Sequence, residues 1–305
     1  MSMRVLIHRL VLIGVGALLV ISALALLCKQ RVLDIIAKKQ RAINARLYRD
    51  FASVVGPVTI LRANESNAPT SRVECARTAA GTFKTLALGD HLDALRQHAT
   101  RERLDLLLAD VLPHLTLGGR ELKLSDLVVI DVMQARGAYF PSMHTDIEWT
   151  LYPASGFQVW YLLQSEDTEH GNMFLFDTDL ACGGGASVAY DDTGLRVRTP
   201  DARGRLSAPR SLEIDRAYYL GLAPGECVVF GQNMLHMSDF RPPAGARRAI
   251  NFRVLIRDTH DRVPFYPLAG SIWTVLFQLP YRLLHAFTFW SKCNRRVCPL
   301  HGIGV

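Results

Sequence analysis

The longest apolar run in the chain lies near its start. Leu10 to Cys28 (LVLIGVGALLVISALALLC) is 19 residues without a charge. A helix of that length spans a hydrocarbon core of roughly 30 Å. The run passes straight into Lys29 and Arg31 with no small-residue cleavage site at its end, so the pattern predicts an uncleaved N-terminal transmembrane helix. From Val32 to Phe51 the spacing is helical: Val32, Ile36, Ile43 and Leu47 form an apolar stripe widened by Ile35, with lysines and arginines on the other faces. That is the pattern of a basic amphipathic helix suited to anionic headgroups. A polar linker follows at Asn64 to Ser71. Phe83 to Leu112 again has helical periodicity, through Leu86, Leu88, Leu92, Leu95, Leu104, Leu107 and Leu108.

Beyond residue 112 the pattern shortens into strands. Leu127 to Met133, Phe157 to Leu163 (FQVWYLL), Met173 to Phe176, Cys227 to Phe230 and Ala249 to Arg257 are compact apolar or alternating runs separated by turn residues. Helices first and then strands predict a mainly β domain, a sandwich or barrel with helices packed on one face. Ala181 to Arg210, which begins ACGGGASVAYDDTG, reads as a long surface flap. Ser271 to Trp290 is apolar and aromatic but contains Pro280, Arg282 and His285. It fits an interfacial helix pair or a helix packed on the barrel, and both readings stay open.

Charge changes this picture at the two ends. Residues 1–50 hold nine Lys/Arg against two Asp/Glu, and residues 271–305 hold four against none, which leaves 22 against 26 between them. A nucleic-acid binder carries its basic excess on the folded domain. Here the excess flanks the most apolar segments, which points to a membrane surface and not to nucleic acid. Three segments follow: an anchor with its basic helix at 1–50, a domain at 51–270 and an apolar tail at 271–305. Counting Lys/Arg near the span places the domain on the cytoplasmic side. Asn64-Glu65-Ser66 matches a glycosylation acceptor, a pattern that short chains meet by chance. The six cysteines form no framework; Cys293 and Cys298 near His301 match no standard zinc spacing.

The candidate chemistry centres on AYFPSMHTDIEW. On a strand, His144 and Asp146 point to one face, so both reach a single ion. A second, distant histidine would complete a 2-His-1-carboxylate triad, the arrangement that leaves positions open on Fe(II). His236 is the candidate, just beyond the run that starts at Pro224-Gly225-Glu226. Singly, each residue has an ordinary reading: a solvated loop histidine, an Asx-turn aspartate, a strand-end hydrogen bonder. On the last strand, Arg247, Ala249, Asn251 and Arg253 share a polar face suited to a barrel interior. Arg248, Ile250, Phe252 and Val254 share a face suited to covering helices.

The ordered set resembles the phytanoyl-CoA dioxygenase-like branch of the iron(II)/2-oxoglutarate dioxygenases. The resemblance covers roughly residues 125–257. It rests on His144/Asp146, on His236 about 90 residues later, and on Arg247 eleven residues beyond that. It is extended by GFQVWYLLQSEDTEHGNMFLF, APGECVVFGQNMLHMS and RRAINFRV. Where that family has a Pro-Gly-Ser-His stretch, this chain has FDTDLACGGG. The resemblance implies a double-stranded β-helix (jelly-roll, cupin-like) core with flanking helices. It implies Fe(II) held by His144, Asp146 and His236, and 2-oxoglutarate held through its distal carboxylate by Arg247, with Arg253 as the fallback on the same face. Gln158, Trp160 and Ser238 would line the cosubstrate or substrate pocket. The implied activity is O₂-dependent oxidative decarboxylation of 2-oxoglutarate coupled to hydroxylation of a C–H bond, and a carboxylate at 146 favours hydroxylation over halogenation. The anchor points to a lipid or small-molecule substrate at a membrane. Two other classes remain: a catalytically silent barrel acting as a tethered binding module, and a zinc or nickel cupin-like enzyme without 2-oxoglutarate.

Overall fold

The computed structural model describes residues 45–63, 83–117, 120–135, 143–146, 156–178, 187–199, 207–231 and 234–256, together with single helical positions between 14 and 38. The expected transmembrane run lies largely outside the described residues, as do the linker at 64–71, the tail at 271–305 and its cysteines. Among the described residues, no helix is long and apolar enough to cross a membrane. Gly14, Ala17, Val20, Ile21 and Leu24 are helical and exposed.

The domain is mainly β. Its larger sheet has five strands in the order β2-β12-β6-β14-β5: β2 (Phe83–Ala87), β12 (Glu226–Gly231), β6 (Gly156–Ser165), β14 (Arg247–Ile256) and β5 (Leu127–Ala135). All its pairings are antiparallel. The smaller sheet runs β1 (Val58–Leu61), β11 (Ile214–Leu220), β7 (Met173–Thr178), β13 (Leu235–Ser238). At the free edge of β13, His144 forms an isolated antiparallel bridge with His236. From β5 onward the chain alternates between the sheets: β5 large, His144 small, β6 large, β7 and β11 small, β12 large, β13 small, β14 large. This alternation fits a cupin-like jelly roll.

The apolar runs follow from this layering. Every residue from Gly156 to Leu163 is buried, because β6 lies in the middle of a sheet covered on both faces. Phe157, Val159, Tyr161 and Leu163 pack on one face with Ile250, Phe252 and Val254 of β14. They meet the leucines of α2 (Leu92–Gln97) and α3 (Arg101–Val111), where Leu95, Leu104, Leu107, Leu108 and Val111 are buried. Trp160 and Leu162 point the other way, between the sheets, where they join Phe83, Val228, Phe230, Leu175, Tyr218 and Leu220. The division of β14 into a polar inner face and an apolar outer face is therefore as the alternation predicts.

Three expectations are corrected. Helices cover both outer faces, not one: α1 (Ala45–Val55) buries Leu47, Phe51 and Val55 against the smaller sheet, with Phe51 edge-on to Phe174 at 4.8 Å. This helix straddles residue 50, so the end of the basic segment is part of the packed domain. Phe83–Ala87 is a strand and not the first turns of a helix; the leucine spacing runs across a break at Gly89, where a short 3-10 turn begins. The expected flap at 181–210 contains a β-hairpin, β8 (Ser187–Asp191) with β9 (Gly194–Arg198), to which β10 (Arg210–Ser211) adds. It sits on α1 through Tyr190–Asp50 (2.9 Å) and Arg46–Asp192. A small hairpin, β3 (Thr116–Leu117) with β4 (Arg120–Glu121), follows α3.

Carboxylates tie the loops at one end. Asp239, fully buried, accepts hydrogen bonds from the Gly171 N–H at 2.9 Å and from the Arg241 backbone and guanidinium. Asp167 accepts from the N–H groups of Ala244, Glu169 and His170 and from the His170 ring. Donation by the Ala244 N–H, followed by the other donors, lowers its carboxyl pKa to about 2.

Two outcomes follow. Leu107 is fully buried under α3, and Leu107→Ala should cost about 2–5 kcal/mol in urea unfolding. Because the folded-state pKa of Asp167 is depressed from 3.8 to about 2, its contribution is present above pH 4 and is lost as pH falls toward 2. Asp167→Asn should be less stable near neutrality, and its unfolding free energy should fall less steeply over that window.

Candidate metal centre

His144, Asp146 and His236 converge. Each offers a ligand atom, these atoms lie within 4.8 Å of one another, and all three residues are buried. The sequence places them 92 residues apart at most; the sheet edge brings them together. His144 N–H donates to the His236 carbonyl and His236 N–H donates to the His144 carbonyl, both at 3.0 Å. This reciprocal pair sets the imidazoles side by side, with ring centroids 4.3 Å apart. His144 sits in an isolated bridge and not in a continuous strand, and Asp146 follows in a tight turn. His236, expected beyond a strand, is inside one, opposite Leu175 of β7.

The ring of His236 is oriented by its own loop. Its Nδ1 lies 2.9 Å from the Met234 carbonyl, which can only accept, so Nδ1 carries the proton and Nε2 presents its lone pair to the site. Phe230 packs edge-on against the same ring at 4.9 Å. His236 Nε2 is 3.2 Å from Asp146 Oδ2. Two donor atoms each about 2.1 Å from one ion at a right angle stand roughly 3 Å apart, so this spacing fits shared ligation. The other oxygen of Asp146, Oδ1, accepts from Arg253 Nη2 at 2.9 Å. The donor set of two imidazoles and one carboxylate, buried together at 4–7% exposure, suits a divalent transition metal with positions left open.

The remaining sequence-predicted residues are distributed along the interior. Arg247, at the start of β14, is buried; its guanidinium lies over the Trp160 ring at 5.0 Å, and its Nε reaches Asn172 Oδ1 at 3.4 Å. Asn172 is itself anchored by donating to the Leu220 carbonyl at 2.8 Å. Gln158 is on the inner face of β6, opposite Arg253 of β14 and Phe230 of β12. Ser238 is on β13 two residues from His236, so it shares the face of the metal ligand. Sequence reasoning missed three contributions. Asn172 braces Arg247, the Met234 carbonyl sets the His236 tautomer, and Arg253 bonds Asp146 where it was held only as a reserve for a carboxylate ligand. The polar face of β14 was the one available signal for Arg253, and it cannot name a partner 107 residues away.

No family model and no curated protein matches this chain. Among solved structures it is similar to the non-heme alpha ketoglutarate dependent epimerase SnoN from nogalamycin biosynthesis, at 15% identity over 62% of this chain and 76% of that one, with a TM-score of 0.30. It is also similar to EvdO2 from Micromonospora carbonacea var. aurantiaca, at 15% identity over 61% and 73%, with a TM-score of 0.33. A third is the non-heme monooxygenase ThoJ, at 15% identity over 69% and 85%, with a TM-score of 0.32. Likeness at this level assigns no activity.

Proposed function

We propose that this chain is a membrane-anchored Fe(II)/2-oxoglutarate-dependent dioxygenase that hydroxylates an aliphatic C–H bond of a lipid or other small molecule. The observation that carries the reading is the buried convergence of His144, Asp146 and His236 in a β-sandwich whose inner face also holds Arg247 and Arg253. A buried three-ligand site with interior guanidinium groups suits a metal that shares its coordination with an anionic cosubstrate.

Bound Fe(II) would supply the open positions at which 2-oxoglutarate and O₂ react. The chain's own residues do the rest. His236 offers Nε2 because Met234 holds Nδ1, and Asp146 offers a carboxylate whose other oxygen is held by Arg253. Arg247 takes the distal carboxylate of 2-oxoglutarate as a planar fork, with Asn172 fixing the guanidinium and Trp160 providing the surface on which it lies. Gln158 and Ser238 line the same interior. Trp160, Phe230, Leu175 and Val228 exclude water from the reacting region. The uncharged run at 10–28, with Val20, Ile21 and Leu24 exposed on helical backbone, suits an anchor that keeps the site beside the bilayer. The excess of basic residues after it favours a domain on the cytoplasmic face.

The test is an anaerobic titration of the full-length, detergent-solubilised protein with Fe(II) and then 2-oxoglutarate. A weak visible charge-transfer band of a keto acid–iron chelate should form. His144→Ala should abolish it, and Arg247→Ala should weaken 2-oxoglutarate binding by about 30-fold or more, the scale of losing one partner of a buried charge pair. Absence of any band in the unmodified protein would overturn the reading.

A further inference from the structure

Arg253 and Gln158 sit under the metal centre without a role in the scheme above beyond charge balance and lining. Arg253 is 5% exposed, points inward from β14, and donates from Nη2 to Asp146 Oδ1 at 2.9 Å. Asp146 Oδ2 faces His236 Nε2 at 3.2 Å. The two oxygens of one carboxylate thus have different neighbours: one is held by a guanidinium, and the other is turned to the position an ion would take. Carboxylates bind cations through one oxygen or both. A charge-assisted hydrogen bond to Oδ1 inside a buried site opposes the second mode.

Gln158 is the cross-strand neighbour of Arg253 on one side and of Phe230 on the other. Neighbours of this kind have Cβ atoms about 4.5–5.5 Å apart. Gln158 therefore lies between a residue that touches Asp146 and one that touches the His236 ring. It is 1% exposed, and neither Oε1 nor Nε2 has a hydrogen-bond partner among the described residues. A primary amide offers two donors and an acceptor, and burying all of them unpaired is costly. A buried amide in this state suits a polar group of a bound ligand.

We propose that Arg253 and Gln158 act as one positioning pair: Arg253 restricts Asp146 to ligation through a single oxygen, and the Gln158 amide hydrogen-bonds the 2-oxo acid end of the ligand bound at the coordination position this keeps open. The proposal rests on the metal reading above. It separates the work of the two inward arginines of β14, with Arg247 serving the far carboxylate of the ligand and Arg253 serving the metal's own carboxylate. Nε2 of Gln158 donates to the chelating carboxylate, and Oε1 accepts from a water or hydroxyl group beside it.

The experiment uses full-length protein in detergent, Co(II) as the metal probe, and two 2-oxo acids, 2-oxoglutarate and pyruvate, which lacks a distal carboxylate. Gln158→Leu should bind Co(II) within about threefold of the unmodified protein, and Arg253→Met is studied at saturating Co(II). Each should weaken uptake of both 2-oxo acids by the Co(II) protein by about tenfold or more, read from the cobalt visible bands. Arg253→Lys, which keeps the charge and one donor, should recover part of that loss. Arg247→Ala should weaken 2-oxoglutarate alone and leave pyruvate unchanged. Unaltered chelation of both acids in Arg253→Met and Gln158→Leu would overturn the proposal while leaving the metal reading intact. When Arg253→Met loses its fold, Gln158→Leu decides, and unaltered chelation of both acids in that variant would overturn the proposal. Failure of the unmodified protein to bind Co(II) would remove the metal reading and the proposal together.

Discussion

The site depends on one pair of backbone hydrogen bonds, those exchanged between His144 and His236. They carry no chemistry of their own, but they join a short segment after β5 to the edge of the smaller sheet and so set two imidazoles in contact. Asp146, two residues on, then has only a short distance to cover before its carboxylate meets the second imidazole. Because the pairing uses main-chain groups, it is insensitive to which side chains flank it. It is also cooperative with the β7–β13 ladder that holds His236 from the other side.

The second constraint is the cost of a polar interior. Arg247, Arg253, Gln158, Asp146 and both histidines are buried between two sheets whose other inward residues are largely apolar. Buried charges must be paired to be tolerated. The structure meets this by pairing Arg253 with Asp146 and by giving Arg247 an amide oxygen and an aromatic face. The apolar layers outside the sheets, with α2 and α3 on one side and α1 with the β8–β9 hairpin on the other, supply the burial that offsets this. A domain of this kind trades stability for a preorganised cluster of donors, and Gln158 is the clearest instance, since its amide finds no partner among the described residues.

Much of this was legible along the chain. A run such as FQVWYLL, apolar on both parities, marks a strand covered on both faces, and β6 is that strand. The alternation in RRAINFRV separates an inner from an outer face without reference to any other segment, because strand geometry has a period of two. Strand parity paired His144 with Asp146, and the resemblance to the dioxygenases joined His236 to them. Other features left weak traces. Phe83–Ala87 shares its leucine spacing with the helices that follow, and short edge strands carry little periodicity. Ile214–Leu220 (IDRAYYL) has a bulge near Arg216, and its last four residues are buried in the clusters on both faces of the strand, so the run shows no alternation of apolar and polar residues. The β8–β9 hairpin is hidden behind a Gly-rich stretch that reads as loop.

The sequence by itself determined which residues could ligate a metal, which faces of the strands were polar, and that apolar layers would enclose them, because these follow from side-chain chemistry and local repeat. The tertiary structure alone decided that helices would cover both sheets, that Arg253 would meet Asp146, that Asn172 would brace Arg247, and that Gln158 would be left beneath the site without a partner among the described residues. Those outcomes depend on strand register and on contacts across 75 to 107 residues, and no local pattern encodes which distant residue will lie opposite.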